Sequence, residues 1–175
     1  MSYDANIAIV LKPIGFVRTG VPDEEIKKIR LEGVDGYIEI FEEYMDGLKG
    51  IEEFSHIIII AYLHKVSENE RKTLLVKPRR FSRIGIKLEF LPEIGVFATD
   101  SPHRPNPIAI TIARLVDVER NILYVKNLDL FDGTPVLDIK PYTPDRVISD
   151  IEIPFWVAEI EKRLRRLRER PVGNI

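Results

Sequence analysis

The densest group of side chains able to do chemistry lies in residues 97–108, FATDSPHRPNPI. Within it, four polar residues are interspersed with three prolines: Asp100, His103, Arg104 and Asn106 with Pro102, Pro105 and Pro107. Proline fixes its own φ and restricts the residue before it, so this segment cannot be a helix and suits a central strand poorly. The sequence therefore predicts a stiff loop that presents polar groups.

A second polar stretch, LDLFDGTPVLDIKPY, covers residues 128–142. Asp and Asn cap turns, proline stiffens them, and Asp-Gly is a common turn pair, so either stretch alone fits an ordinary connection. Because both stretches are rigid and rich in polar side chains, we interpret them together as parts of a functional site. The second stretch contributes three carboxylates and one cation: Asp129, Asp132, Asp138 and Lys140.

Several familiar chemistries have no support in the sequence. It contains no glycine-rich dinucleotide or phosphate loop and no GxSxG nucleophile turn. It has no cysteine, which excludes disulfides, thiolate nucleophiles and cysteine-based zinc sites. The histidines His56, His64 and His103 lack the short spacings of a zinc site, so no metal is predicted. We interpret His56 as a structural residue, whereas His64, at a strand end, either lines a site or only borders it.

Length and charge restrict the classes of protein that remain. At 175 residues we predict a single domain over 1–175. No segment reaches the ~20 apolar residues that span a bilayer, and the N-terminus lacks a signal-peptide pattern, so we expect a cytoplasmic protein without membrane contact. The net charge of −2 hides an uneven distribution, because acids dominate residues 23–53 while residues 71–87 contain bases and no acid. This basic segment and KRLRRLRER at 162–170 either face phosphates or are merely solvated.

Eight segments rich in β-branched residues predict strands: 6–19, 36–41, 54–64, 86–90, 95–99, 108–119, 122–130 and 135–139. With few helices between them, they favour an antiparallel sheet closed into a barrel or packed as a sandwich. The run IIIIAYL at 57–63 indicates a strand buried on both faces, and Arg120-Asn121 indicates a hairpin turn. A helical apolar period after Pro154 predicts an amphipathic helix over about 154–170, whose apolar stripe caps the barrel.

The two polar stretches resemble the signatures of the TsaA/TrmO family of tRNA methyltransferases. Those signatures run approximately FATRSPxRPNPIG and LDxxDGTPVxDIKPY, and here they read FATDSPHRPNPIA and LDLFDGTPVLDIKPY. PIGFVRT at 13–19 and GIEEFSHIIIIAYLH at 50–64 are similar to further family segments, so the resemblance covers most of residues 10–142. It implies a mainly β fold, a small single-sheet antiparallel β-barrel, here with the C-terminal amphipathic helix.

The resemblance also implies an activity. Family members bind S-adenosylmethionine, work as homodimers and transfer its methyl group to N6 of threonylcarbamoyl-adenosine beside the tRNA anticodon. The implied cofactor contacts fall in three segments: His64 and Lys65; Phe97, Ala98, Thr99, Asp100, Ser101 and Arg104; and Leu128, Asp129, Leu130, Asp132, Gly133 and Thr134. Arg104 and Asn106 are expected to organise the proline-rich loop, and the Arg104 guanidinium can hold a carboxylate.

Two further sets of residues are assigned roles by this resemblance. The candidate catalytic residues, which orient the acceptor or relay its proton, are Asp138, Lys140 and Tyr142. The candidate contacts to tRNA phosphates are Arg79, Arg80, Arg83, Arg165 and Arg166.

The sequence departs from the family signature at two positions. Asp100 replaces an arginine, so a cation must come from Lys65, Arg104 or Arg83 if the family's arginine binds an anion. Ala109 replaces a glycine, which is a milder change in backbone freedom. Two alternatives therefore remain open, a non-catalytic RNA-binding β-barrel and a methyltransferase that uses S-adenosylmethionine on another acceptor.

Overall fold

The computed structural model describes residues 7–29 and 33–168. Its contacts divide the chain into two compact units. The barrel unit comprises Met1–Val66 and Pro107–Pro144, and the second unit comprises Ser67–Asn106 and Asp145–Ile175. The single domain over 1–175 stays a prediction, and each unit is described by itself.

The described residues form eight strands: β1 Gly15–Arg18, β2 Val34–Ile40, β3 His56–Tyr62, β4 Leu75–Val76, β5 Ile94–Gly95, β6 Ile108–Glu119, β7 Ile122–Leu128 and β8 Pro135–Pro141. Six of them close into an antiparallel barrel in the order β1-β2-β7-β6-β3-β8, which belongs to the barrel unit. Closure gives every strand two neighbours and leaves no unpaired edge. The predicted antiparallel barrel is therefore confirmed.

Side chains that alternate along the barrel strands fill its interior. In β3, Ile57, Ile59 and Ala61 are fully buried, while Ile58 and Ile60 are only partly covered. The prediction that this run is buried on both faces is wrong, because one face of a closed barrel points outward. Other members of the core are Val17, Ile38, Ile40, Leu123, Leu128 and Val136.

The predicted hairpin between β6 and β7 is confirmed. Glu119 pairs with Ile122, so Arg120 and Asn121 form a two-residue turn. Arg120 takes a positive φ of 54°, as such tight turns require. The Asn121 side-chain amide donates to the Ile40 carbonyl at 2.6 Å and thereby ties the hairpin to the end of β2.

One predicted strand, 6–19, is shorter than the sequence suggested, and the strands predicted over 86–90 and 95–99 are wrong apart from Gly95. In the first segment only β1 is a strand, because Pro13 has no N–H to donate to a ladder just before it. Residues 86–90 and 95–99 are mainly 3-10 turns, Leu88–Phe90 and Val96–Ala98, on either side of Pro92. Near them, β4 and β5 pair as a small two-stranded sheet in the second unit.

The helices are α1 Asp23–Ile29, α2 Glu68–Arg71 and α3 Phe155–Arg168. The predicted C-terminal helix is α3, whose first turn begins with amides donating to the Pro154 carbonyl. Its buried residue Ile160 packs with Phe81 and Leu91, which belong to the same unit. The sequence had predicted that the apolar stripe would cap the barrel. The stripe therefore builds a second, smaller apolar cluster. Over the described residues, none of these helices has the length and apolar character needed to cross a bilayer.

Candidate functional site

Strand direction gathers several connections of the barrel unit at one end, which we call the upper end. Because neighbouring barrel strands are antiparallel, β1, β3 and β7 end there, and β2, β6 and β8 begin there. The backbone N–H of Leu63, just after β3, donates to the Pro107 carbonyl, just before β6, at 2.8 Å. The structure thus brings His64 and Lys65 to the same end as residues 128–134.

The connection between β7 and β8 is fastened to β1. The Gly133 N–H donates to the Val17 carbonyl at 2.8 Å, and the Val17 N–H donates to the Thr134 carbonyl at 2.9 Å. Gly133 has a φ of +73°, a conformation that favours glycine in this turn. The backbone of this connection is therefore held in place before any ligand binds.

The Asp132 carboxylate holds the chain that follows β1. Its Oδ1 accepts the N–H groups of Thr19 and Gly20, at 2.8 Å and 3.2 Å. The hydrogen bond from the Thr19 amide is the main cause that lowers the pKa of Asp132, helped by the Gly20 amide and the Arg18 and Lys65 charges against the effect of burial. Asp132 is thus an ionised brace at the upper end.

Other side chains of residues 128–134 point into the core. Leu128, Leu130 and Thr134 are at most 2% exposed as whole residues, so they support the connection from within. Asp129 accepts a hydrogen bond of 2.6 Å from the hydroxyl of Thr111, a nearly buried residue on β6. The residues of this connection that a ligand can reach are therefore the partly exposed ones, Asp129 and 131–133.

A small cationic cluster lies beside this connection. The Lys65 ammonium pairs with both carboxylate oxygens of Asp23, at 2.6 Å and 2.8 Å. The same ammonium lies 5.2 Å from the centre of the Phe131 ring, and the Lys27 ammonium lies 5.6 Å from it. Both distances are within the range of cation–π attraction, so the ring helps to hold two positive charges near the upper end.

His64 precedes Lys65 and is exposed. Desolvation by the surrounding protein lowers the pKa of its imidazole, the Lys65 charge lowers it further, and Asp23 opposes the shift. A neutral imidazole is therefore favoured at neutral pH, where its free nitrogen can accept a proton.

In the second unit, Arg104 organises the proline-rich loop. Its Nε donates to the Ser101 carbonyl at 2.8 Å, and its Nη2 donates to the carbonyls of Thr99 and Val96, the latter at 3.2 Å. The organising role expected of Arg104 agrees with these contacts. Its partners are carbonyl oxygens of the loop itself, in place of the carboxylate that the sequence analysis considered.

Hydroxyl groups complete the support of this loop. The Thr99 hydroxyl donates to the Val96 carbonyl at 2.9 Å and accepts the Ser101 N–H at 3.1 Å. The Ser101 hydroxyl in turn accepts the His103 N–H at 3.3 Å. The loop exposes Phe97, at 80%, together with Ala98. The sequence predicted the stiff loop. It did not predict that the loop would expose an aromatic ring.

The candidate catalytic residues follow β8 away from the upper end. Lys140 pairs with Ile58 near the start of β3, and the Tyr142 N–H donates to the His56 carbonyl. A seven-residue strand spans about 20 Å, so Lys140 and Tyr142 lie toward the opposite end of the barrel. Asp138 lies between the ends, and its carboxylate accepts from the Lys140 ammonium at 2.7 Å. The structure does not bring these three residues to the upper end.

The basic segments of the second unit lie side by side. Arg79 is exposed in the 3-10 turn Arg79–Ile84, and Arg165 and Arg166 are exposed on α3. The turn and α3 pack through Phe81 and Trp156, whose rings meet edge to face at 6.4 Å. The side chains of Arg80 and Arg83 lie outside the described part of the structure. Packing thus joins two basic clusters that are far apart in the sequence.

Sequence reasoning missed three residues that support the upper end: Asp23, Phe131 and Thr111. Phe131 lies within the second signature, between Asp129 and Asp132, and its position there was the available signal. Asp23 follows Pro22 in a helix-start pattern, which indicates a cap and not a partner for Lys65. Within the described ranges, no three His, Cys, Asp or Glu side chains are arranged to hold a metal ion.

Comparison with known proteins gives consistent matches. The family model of the tRNA-methyltransferase O N-terminal domain matches residues 18–146. A probable S-adenosyl-L-methionine-binding protein of Pyrococcus abyssi is 38% identical over 168 residues, covering 93% of this chain and 82% of that protein. An S-adenosyl-L-methionine-binding protein of Archaeoglobus fulgidus is 39% identical over 139 residues, 78% of this chain and 91% of its own length.

Larger proteins and solved structures match as well. The human tRNA (adenine(37)-N6)-methyltransferase is 41% identical over 120 residues, which are 69% of this chain but 24% of the human protein. A crystal structure of TrmO superposes with a TM-score of 0.63 at 28% identity, covering 91% of this chain and 77% of that one. As the resemblance predicted, and with more than half of its length matched by the family model, the chain belongs to the family of the tRNA-methyltransferase O N-terminal domain.

Proposed function

We propose that this protein transfers a methyl group from S-adenosylmethionine to N6 of adenosine 37 in tRNA. The observation that carries the proposal is the family match over residues 18–146, which includes both polar stretches found in the sequence. Relatives named for binding S-adenosyl-L-methionine and for methylating tRNA at this atom support the cofactor and the reaction.

The residues of each unit fit this cofactor. An adenine needs an apolar surface and polar partners, and in the second unit the proline-rich loop offers the exposed ring of Phe97. The carboxylate of the methionine part needs a cation. The Arg104 guanidinium donates to three loop carbonyls and is partly buried, whereas the Lys65 ammonium is exposed and pairs with Asp23, so Lys65 is the candidate for that role. Residues of both signatures remain candidates for cofactor contacts, each argued from its own unit.

Bound S-adenosylmethionine supplies an electrophilic methyl group on a positively charged sulfur. The protein's part is to hold the acceptor nitrogen in line with that group and to take its proton. Rigid loops serve the first task, because their ordering cost is met during folding. His64 serves the second better than Asp138, Lys140 or Tyr142, since it lies at the upper end and its lowered pKa keeps the imidazole neutral.

The finer assignment of the acceptor is threonylcarbamoyl-adenosine. The carbonyl of a threonylcarbamoyl group withdraws electrons from N6 and makes its proton more acidic than that of an unmodified adenine. The neutral imidazole of His64 is then the group that we propose takes this proton. The acceptor's own carboxylate would compete with Glu24 and Asp23 for the lysines beside Phe131.

The tRNA backbone is proposed to lie on the basic surface of the second unit. Arg79 in the 3-10 turn and Arg165 and Arg166 on α3 are exposed cations joined into one surface by the small apolar cluster. Such cations attract phosphates and release counterions on binding. The homodimer implied by the family resemblance and the cytoplasmic location expected from the sequence complete the proposal.

Calorimetric titration with S-adenosylmethionine is the first test, followed by transfer of a labelled methyl group to tRNA. We expect saturable binding at micromolar concentration and labelling of tRNA that carries threonylcarbamoyl-adenosine, with little labelling of tRNA that lacks this modification. Equal labelling of both tRNAs would reassign the acceptor. A folded protein that binds tRNA but not S-adenosylmethionine would instead be a non-catalytic RNA-binding barrel.

A further inference from the structure

The proline-rich loop of the second unit is anchored where it begins. The Val96 N–H donates to the Leu74 carbonyl at 2.9 Å, and in the small sheet Gly95 pairs with Leu75. The bonds of Arg104 described above connect the loop to its own carbonyls, as far back as Val96. Such internal bonds make the loop stiff, whereas its orientation depends on contacts to other segments of the unit.

A second contact of this kind joins the later part of the loop to α2. The Nε2 of His103 lies 3.3 Å from Oε1 of Glu70. An imidazole nitrogen that carries its proton donates to a carboxylate, and the bond is stronger when the ring is charged. The two side chains are 45% and 42% exposed, so either can be replaced without opening a core. The loop is therefore held to its own unit at two separate points.

The carboxylate that meets His103 is itself fixed. Its other oxygen, Oε2, accepts the Ser67 N–H at 2.8 Å and the Ser67 hydroxyl at 2.7 Å, and the Glu70 N–H donates to that hydroxyl at 3.4 Å. These bonds form a capping box at the start of α2. The bond from the hydroxyl is the main cause that lowers the pKa of Glu70, so its carboxylate is ionised at neutral pH. One carboxylate thus caps the helix with one oxygen and contacts the loop with the other.

We propose that Glu70 is a positioning residue for the proline-rich loop, and that it acts through His103 to hold the loop ready for S-adenosylmethionine. Order that is established during folding does not have to be created when the ligand binds. His103 occupies the open position of the first signature, and Glu70 lies outside all four segments that carry the family resemblance. The inference rests on the proposed function, because that function makes the loop part of the cofactor site.

The test is calorimetric titration with S-adenosylmethionine of the wild type, Glu70→Gln, His103→Gln and the double variant. A capping box accepts Gln in place of Glu, so Glu70→Gln keeps α2 capped while it removes the charge that faces His103. We expect each single substitution to raise the dissociation constant about 2- to 5-fold, the scale of an exposed contact. The double variant should bind no more weakly than the single variants, because both residues act through one contact.

Two further variants are matched controls. Glu68→Gln makes the same change of charge on the same helix, where Glu68 pairs with Arg71 at 2.8 Å. Ser67→Ala removes the capping hydroxyl but keeps the backbone N–H that binds Glu70 and the contact to His103. We expect both controls to retain the wild-type dissociation constant, and Ser67→Ala to lower the urea midpoint of unfolding. Affinity and stability then change in different variants, which a purely structural role of Glu70 would not produce.

Amide hydrogen exchange over residues 97–106 gives a second readout that needs no cofactor. We expect faster exchange there in Glu70→Gln and His103→Gln, and wild-type exchange in Glu68→Gln. The proposal is overturned by wild-type affinity and exchange in Glu70→Gln, by equal changes in Glu68→Gln, or by single effects that multiply in the double variant. If the wild type does not bind S-adenosylmethionine while exchange still responds to Glu70→Gln, the proposed function is wrong and the anchoring of the loop by Glu70 is supported.

Discussion

In the barrel unit every strand has two hydrogen-bonded neighbours, whereas the second unit has only β4 and β5, two residues each, within its described part. The barrel has one large apolar core, while the second unit has a small cluster around Phe81, Leu91 and Ile160. Acids outnumber bases in the described barrel unit, and bases outnumber acids in the described second unit. The same chain thus builds a rigid acidic scaffold and a looser basic surface.

This difference between the units indicates which of them suits contacts to a small molecule and which suits contacts to tRNA. A closed ladder holds backbone groups and carboxylates at fixed positions, which suits contacts to a small molecule. A polyanion is bound by several mobile cations, each of modest strength, and such a surface does not need a ladder beneath it. The comparison predicts that substitutions in the barrel unit impair the reaction itself, and that those in the second unit's basic surface impair tRNA affinity.

The largest effect is expected for Asp132→Ala. The substitution removes the carboxylate that accepts the N–H groups of Thr19 and Gly20 and so holds the chain after β1 at the upper end. We expect methyl transfer to fall at least about 100-fold, because small displacements at a site have effects of that size. Unfolding free energy should fall by about 1–3 kcal/mol, the usual cost of unsatisfied polar groups.

The assay for this prediction is single-turnover methyl transfer, with urea unfolding in parallel. Glu119→Ala is the control, because its carboxylate bonds to the Tyr124 hydroxyl at the far end of the barrel. If Asp132→Ala transfers methyl groups at the wild-type rate, the turn that contains Asp132 is not part of the site.

A smaller loss is expected for Arg104→Lys. An ammonium cannot reproduce the planar fork that reaches the carbonyls of Ser101, Thr99 and Val96. We expect kcat/KM for S-adenosylmethionine to fall about 10- to 100-fold with an unchanged KM for tRNA. Steady-state kinetics in both substrates measures the split, and Arg120→Lys in the β6–β7 hairpin is the matched control. A uniform change in both KM values would argue against a role confined to this loop.

Charge reversal of the basic surface should weaken tRNA binding without blocking the cofactor. The triple variant of Arg79, Arg165 and Arg166 to Glu is expected to flatten the dependence of log K on log salt, by about one for each phosphate that is no longer neutralised. Binding measured at several salt concentrations tests this. Reversal of Arg114, Arg120 and Lys126 on the barrel is the comparison. If both triple variants change the salt dependence of tRNA binding equally, the proposal that the second unit's basic surface binds tRNA is wrong.

The smallest effect concerns pH. Asp132 has a lowered pKa in the folded state, so its ionised form contributes stability that is present above the unfolded value of about 3.9 and is lost as pH falls through the folded value. The stability difference between wild type and Asp132→Asn should therefore shrink on acidification below about pH 4. Urea unfolding of both proteins at several pH values measures it, and a constant difference would refute the charge effect.

Most of the barrel could be predicted from the sequence. The β-branched segments and the Arg120-Asn121 turn identify five of its six strands closely, since alternation and turn chemistry are local properties. The first segment was overestimated because its apolar composition fits a strand throughout, although Pro13 lacks the N–H that a ladder needs just before β1. The outward isoleucines Ile58 and Ile60 were interpreted as core, because a run of apolar residues does not reveal that its strand curves into a closed barrel.

The site was predicted in part. The signatures identified the residues of both loops, but which side chains face the core depends on three-dimensional packing, as for Leu130 and Thr134. The pairing of Lys65 with Asp23 joins residues 42 positions apart and has no local signal. The packing of α3 on the Phe81 turn was missed for the same reason, because an amphipathic stripe does not specify its partner.

The pairing of β1 with β8 covers only Gly15 with Val136 and Phe16 with Pro135. Beyond these pairs, the seam continues through the bonds of Val17 to Gly133 and Thr134, which belong to the second signature. The segment proposed to bind the cofactor is therefore also the segment that closes the barrel. Amide hydrogen exchange should begin along this seam, and substitutions in residues 129–134 are expected to affect both closure of the fold and the proposed cofactor binding.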